Sequence, residues 1–159
     1  MSTTDLISAI NKQNILEVKQ LIRNKVDVDV CSFEGESALQ LSIRTEQQEI
    51  CGLLLKAKAN PDFQNSTNGT TALHSIFEGY SGVGLEKYIM FTWLLMKHPN
   101  TDAKDINGNT PLHEAAKCGS DLGVEDLLKN HANCHACFHS NYFIMQYAAE
   151  SFERTWWNY

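Results

Sequence analysis

One heptapeptide, Thr110-Pro111-Leu112-His113-Glu114-Ala115-Ala116, has weaker copies of itself upstream at nearly even spacing. Thr71-Ala72-Leu73-His74 lies 39 residues earlier, Ser37-Ala38-Leu39-Gln40 a further 34, and Thr4-Asp5-Leu6-Ile7 a further 33. Downstream, 33 residues beyond Ala115-Ala116, stand Ala148-Ala149, so Phe143-Ile144-Met145-Gln146 takes a fifth start. A second pattern runs in the same phase. Apolar cores around Val18-Leu21-Ile22, Ile50-Leu53-Leu54-Leu55, Ile89-Phe91-Trp93-Leu94-Leu95 and Val124-Leu127-Leu128 are each followed by a short polar stop. Such self-similarity constrains the fold more than any composition can. A unit of two short amphipathic helices cannot bury its apolar face alone, so the copies must stack on one another.

The motif Thr-Pro-Leu-His-x-Ala, preceded by the turn residues Asp105-Ile106-Asn107-Gly108-Asn109, resembles the signature of the ankyrin-repeat family. The resemblance implies an all-α solenoid of helix-turn-helix repeats joined by β-hairpin finger loops. It implies one domain over 1–159, with repeats near 1–34, 35–67, 68–107 and 108–140 and a partial unit over 141–159. Thr71 and Thr110 are expected to cap the inner helices through their hydroxyls. Pro111 suits a first helical turn, where its missing N–H costs little. By resemblance, His74 and His113 hydrogen-bond near these threonines and tie adjacent repeats together, both buried. A catalytic or metal-binding role is the alternative for them.

Departures from the motif carry expectations of their own. The first repeat lacks the tetrapeptide and reads as a cap with a polar outer face. The second keeps a capping serine in Ser37-Ala38-Leu39-Gln40 but loses the histidine. Gln13 and Glu46 stand where the inner helix should end on glycine, as Gly119 does, which predicts strained or rearranged turns there. The third repeat carries six extra residues around Glu78-Gly79-Tyr80-Ser81-Gly82-Val83-Gly84-Leu85. A phosphate cradle would need a strand before it, and none precedes it. It reads as a lengthened turn, or as a protruding loop with Tyr80 at its tip. At the other end, Trp156-Trp157-Asn158-Tyr159 either caps the stack as a half repeat or marks an early stop.

The formal net charge is −6, the isoelectric point is near 5.4, and no run of Lys or Arg offers a basic face, so no nucleic-acid partner is expected. The most apolar stretch, Ile89 to Met96, is far shorter than a membrane span, and no membrane association is expected. The N-terminus shows no secretory pattern, and five scattered cysteines read as reduced thiols. The expected location is a cytosol, the organism's own or a host's, with the nucleus reachable by diffusion.

Candidate chemistry is sparse. Residues 131–139 hold His131, Cys134, His135, Cys137 and His139, ligand types suited to tetrahedral zinc, yet four ligands in nine residues would demand a tight wrap. Repeat phase offers a simpler reading. His131 replaces a loop glycine, Cys134 matches inward Val28, His135 matches Asp29, Asp62 and Asp102, and Cys137 and His139 lie on a finger. A nucleophilic cysteine would need a lowered pKa and a base in reach. Cys118 with His113 or His139 is the one conceivable pair. No catalytic residue, metal ligand or cofactor site is expected.

What remains is recognition of a protein partner along the concave groove that finger tips and inner helices line in this family. Mapped by phase, the groove takes Phe33, Glu34, Glu36 and Arg44 from the second repeat, and Thr67, Asn68 and Glu78 from the third. The fourth supplies Lys104, Ile106, Asn107, Asn109 and Lys117, and the last unit His139 and Tyr142. Phe33, Ile106 and Tyr142 are large and apolar where solvent favours polar groups; they are partner anchors or finger-to-finger packing. The acids lie toward the N-terminal half of the face and the lysines toward the C-terminal half. A monomeric inhibitor, adaptor or host-directed effector fits this reading. The alternatives are the recognition part of a larger enzyme or effector, and a small zinc domain built on residues 131–139.

Overall fold

A computed structural model describes residues 3–78 and 83–134. Eight helices alternate in two layers. The inner layer holds α1 (Thr3–Asn11), α3 (Ala38–Arg44), α5 (Ala72–Phe77) and α7 (Pro111–Lys117). The outer layer holds α2 (Ile15–Arg23), α4 (Gln48–Lys56), α6 (Leu85–Leu95) and α8 (Asp121–Lys129). Each inner helix packs on its own outer helix and on the inner helices beside it; α2 meets α4, and α4 meets α6. This is the expected all-α solenoid. The fingers between repeats are short hairpin turns. Among the described residues there is no regular strand, but an isolated antiparallel bridge joins Cys31 to Ser37. Ser32 N–H donates to the Glu36 carbonyl at 2.8 Å, Asn65 N–H to that of Thr70 at 2.8 Å and Asp105 N–H to that of Asn109 at 2.9 Å.

The core runs the length of the stack. Leu6, Ile10, Leu39, Ile43, Leu73 and Ile76 come from inner helices and Ile50, Leu54, Met90, Phe91 and Leu94 from outer ones, all essentially inaccessible. The third repeat adds aromatic bulk, with Phe77 edge-on to Phe91 at 5.2 Å between ring centres. The next repeat accommodates it with Gly123, where any side chain would collide with the Phe77 ring. The extra residues of the third repeat stretch the link from α5 to α6 and lengthen α6 to 11 residues. Gly79, Tyr80 and the rest of the loop tip lie outside the described residues.

The expected strain is present. Gln13 and Glu46 take positive φ of 54° and 57° after their inner helices, alongside Gly119 at 70°. A second series closes the outer helices: Lys25, Lys58, His98 and His131 all have φ between 51° and 67°. His131 thus occupies a left-handed turn position usually suited to glycine. Half-buried Cys134 packs against the core, as Val28 does in the first repeat.

Hydrogen bonds tie the repeats in register. The carboxylates of Asp29, Asp62 and Asp102 each accept the backbone N–H of an asparagine in the next repeat (Asn60, Asn100 and Asn133), all at 2.7 Å. The fingers stack likewise: Ser66 N–H donates to the Gly35 carbonyl at 3.2 Å, and Ile106 N–H to that of Asn68 at 2.8 Å.

Candidate functional site

The tetrapeptides set the floor of the concave face. His74 is fully buried. Its Nδ1 accepts from Thr71 N–H at 3.1 Å and faces the Thr71 hydroxyl at 2.9 Å. With Nδ1 accepting, the proton sits on Nε2, which donates across the repeat boundary to the Asn109 carbonyl at 3.1 Å. Burial lowers the His74 pKa, so the ring is neutral. His113 makes the same contacts with Thr110, at 3.1 and 2.8 Å, and is half-buried rather than buried. In both boxes the threonine hydroxyl meets the ring nitrogen of a structural histidine.

Gln40 is the surprise. Its Oε1 accepts from Ser37 N–H at 2.9 Å, its own N–H donates to the Ser37 hydroxyl at 3.1 Å, and its Nε2 donates to the Thr70 carbonyl of the next repeat at 2.7 Å. An amide oxygen and nitrogen reproduce the two ring nitrogens of His74. The second repeat loses the histidine but keeps its function.

Above this floor, Glu36 and Arg44 form a bidentate pair at 2.9 and 3.0 Å. Glu36 is buried in that pair rather than open to a partner, while nearly half of the Arg44 side chain stays exposed. Hydrogen bonding to Glu36 raises the Arg44 pKa. The pair forms one wall of a cleft of about 220 Å³ that also gathers Glu34, Thr67, Asn68 and Glu78. All six residues assigned to this stretch from sequence, apart from Phe33, therefore share one hollow. Desolvation raises the Glu78 pKa, and the nearby Glu36 carboxylate adds to it.

Several groove residues also stiffen the fingers. The Thr67 hydroxyl donates to the Glu34 carbonyl at 2.7 Å, and Asn68 Oδ1 accepts from Thr70 N–H and its hydroxyl. Asp105 Oδ1 accepts the N–H groups of Asn107 and Asn109, and the Asn109 carbonyl receives His74. Lys117 reaches Glu114 at 3.2 Å on its own helix, and Lys104 is exposed on the fourth finger. Phe33 and Ile106 stand clear at the finger tips, 105% and 73% exposed, so packing between fingers does not account for them. His139 and Tyr142 lie outside the described residues, as do Cys137 and His135.

Cys51 and Cys118 are not poised for attack. Burial pushes Cys51 up to about 12 and raises Cys118, whose Sγ donates to the Ala115 carbonyl at 3.3 Å. That is the opposite of the shift a nucleophile needs. Among the described residues, no three metal-ligating side chains converge and no helix is long and apolar enough to cross a membrane.

Stacked helix pairs locked by Thr-x-x-His boxes beneath a row of fingers define a repeat scaffold for protein recognition. A sequence profile described as ankyrin repeats in three copies matches residues 6–85 and again 57–137, and the chain belongs to that family. It is similar to an ankyrin repeat protein of Rickettsia bellii, with 30% identity over 70% of this chain and 31% of that protein. It is also similar to the neurogenic locus notch homolog protein 1 of Mus musculus, with 32% identity over 64% of this chain and 4% of that protein. The B-cell lymphoma 3 protein homolog of Mus musculus shares 30% identity over 69% of this chain and 24% of its own length. The chain thus spans a third or less of these relatives. Ankyrin repeats are protein–protein interaction modules, and that is the class of activity this chain carries.

Proposed function

We propose that this chain binds a partner protein across the concave face, with Phe33 and Ile106 as apolar anchors and the cleft around Glu36 and Arg44 reading polar groups between them. The observation that carries the reading is the exposure of those two side chains on a face otherwise lined by polar residues. Large apolar groups ringed by polar ones are what binding hot spots consist of. Glu34 and Glu78 at one end, with Lys104 and Lys117 at the other, favour a partner of opposite gradient. By repeat phase alone, His139 and Tyr142 are assigned to the same surface. The chain acts as a monomeric, non-enzymatic inhibitor, adaptor or host-directed effector in a cytosol.

A second reading makes these repeats the recognition part of a longer enzyme or effector. The small share of each relative that the chain covers favours it.

The test is affinity purification from lysate with identification of captured proteins, comparing the native chain with Phe33→Ala/Ile106→Ala. Each truncation is expected to weaken binding by about 1–3 kcal/mol at unchanged thermal stability. Capture of the same proteins by the variant, or a collapse of its melting temperature, overturns the assignment.

A further inference from the structure

The outer helices carry a hollow of about 560 Å³, more than twice the cleft of the concave face. Its floor is Gly52 and Leu53 of α4 with Trp93 of α6, and Met96 stands at its edge, 75% exposed. Gly52 shapes this floor: a Cβ there would lie 3.2 Å from the Trp93 ring, so the bare backbone lets the indole lie close against α4. Position by position, the apolar surface is anomalous. Counting back from the left-handed residue that ends each unit, Met96 falls where the other repeats have Arg23, Lys56 and Lys129, and Trp93 falls where two of them have Gln20 and Asp126.

The rim is cationic in a chain whose net charge is −6. Lys19 is engaged by Glu49 at 2.7 Å. Lys56 and Lys97 also line the hollow, and among the described residues no carboxylate pairs with either. Two unneutralised ammonium groups beside an indole and a thioether select a ligand with an apolar body and negative flanks. Two adjacent helices offering such a floor suit the laying of a third helix between them.

We propose that the convex face formed by α4 and α6 is a second docking site, which takes an acidic amphipathic helix of a partner protein. An apolar side chain of that helix sits on Trp93 and Gly52, and its carboxylates meet Lys56 and Lys97. The site is separate from the concave face and stands whether or not Phe33 and Ile106 bind anything.

The probe is a fluorescently labelled helical peptide of about four turns, with leucines along one face and glutamates flanking them. Its partner probe has the glutamates replaced by lysines. Binding is followed by anisotropy and by the Trp93 indole N–H resonance, assigned with Trp93→Phe. The acidic peptide is expected to bind and shift that resonance, and the basic one to fail. Lys56→Glu/Lys97→Glu, both exposed positions, should weaken binding about tenfold or more with an unchanged melting curve. Phe33→Ala/Ile106→Ala should leave it intact. Absence of binding by the acidic peptide, equal binding of both peptides, or indifference to the lysine reversals overturns the proposal. Loss of binding in the Phe33/Ile106 variant, or saturable uptake of dodecanoate without uptake of the peptide, overturns it as well.

Discussion

At the scale of single residues, the second and third repeats solve one problem with two chemistries. Each needs an acceptor for the N–H that precedes its inner helix and a donor for a carbonyl of the next repeat. His74 meets both with its ring, and Gln40 with its amide. The solutions differ in acid. Protonating His74 would put a proton on Nδ1, which faces the Thr71 N–H, so the folded state resists it; burial lowers its pKa below the ordinary 6.5. A depressed pKa contributes stability that is complete above about pH 6.5 and is lost as pH falls through the folded value. Denaturant titrations should therefore show stability declining below that pH. His74→Gln should stay within about 1 kcal/mol of the native protein at pH 7 and remove this part of the decline, whereas His74→Ala should cost about 1–3 kcal/mol. A pH profile that His74→Gln leaves unchanged would place the acid sensitivity elsewhere. Sequence could have found Gln40, since glutamine is a neutral donor and acceptor at the histidine position. The missed signal was that the motif requires two polar atoms rather than one residue type.

At the scale of the element, the ends of the helices were more legible than the fingers. The missing glycines at Gln13 and Glu46 predict left-handed turns, and both residues take them. A non-glycine residue held there costs about 1–2 kcal/mol. Glu46→Gly should therefore raise the unfolding free energy by about 0.5–1 kcal/mol after the entropy of a more flexible unfolded chain is subtracted, and move the denaturation midpoint up with it. Gly119→Ala should lower that free energy by about 1 kcal/mol through backbone strain alone, because nothing stands within 4 Å of the added methyl. If neither change moves the midpoint, strain at these turns is relieved by neighbours. The expected hairpin fingers are present in a short form, closed by backbone bonds and by side chains such as Asn65 and Asp105. Each arm pairs briefly with the other, as in Asn65 N–H to the Thr70 carbonyl, and further backbone groups are satisfied by the neighbouring finger, so no longer ladder is needed.

Across the whole molecule, the main helix–helix contacts of the described residues run within a repeat or to the next one, so stability is a row of interfaces rather than one core. Ile10→Ala at one end should lower hydrogen-exchange protection mainly in α1 and α2, leaving α5 and α6 protected. Leu73→Ala, fully buried at the centre, should cost about 2–5 kcal/mol and lower protection along the stack. Equal loss everywhere in both variants would mean that the repeats unfold as one unit. The two faces of the row also differ in character. The concave side presents exposed Phe33 and Ile106 over a polar cleft, while the convex side joins an apolar floor to Lys56 and Lys97, with which no carboxylate pairs among the described residues.

Periodicity by itself determined the repeat and its phase, and the resemblance of its motif to the ankyrin family implied the two-layer stacking and the inner-helix boxes. The spacing is short-range and must recur wherever a unit stacks on a copy of itself. Tertiary structure alone decided that Glu36 is withdrawn into a pair with Arg44, that Phe33 stands free, that Gly123 makes room for Phe77, and that Gly52 and Trp93 form a floor. The Glu36–Arg44 pair closes within one repeat, between finger and inner helix, while the Gly123–Phe77 and Gly52–Trp93 contacts depend on which residues of neighbouring repeats come opposite one another. Repeat phase assigns a residue to a face, but contact depends on the size of its neighbour across the stack.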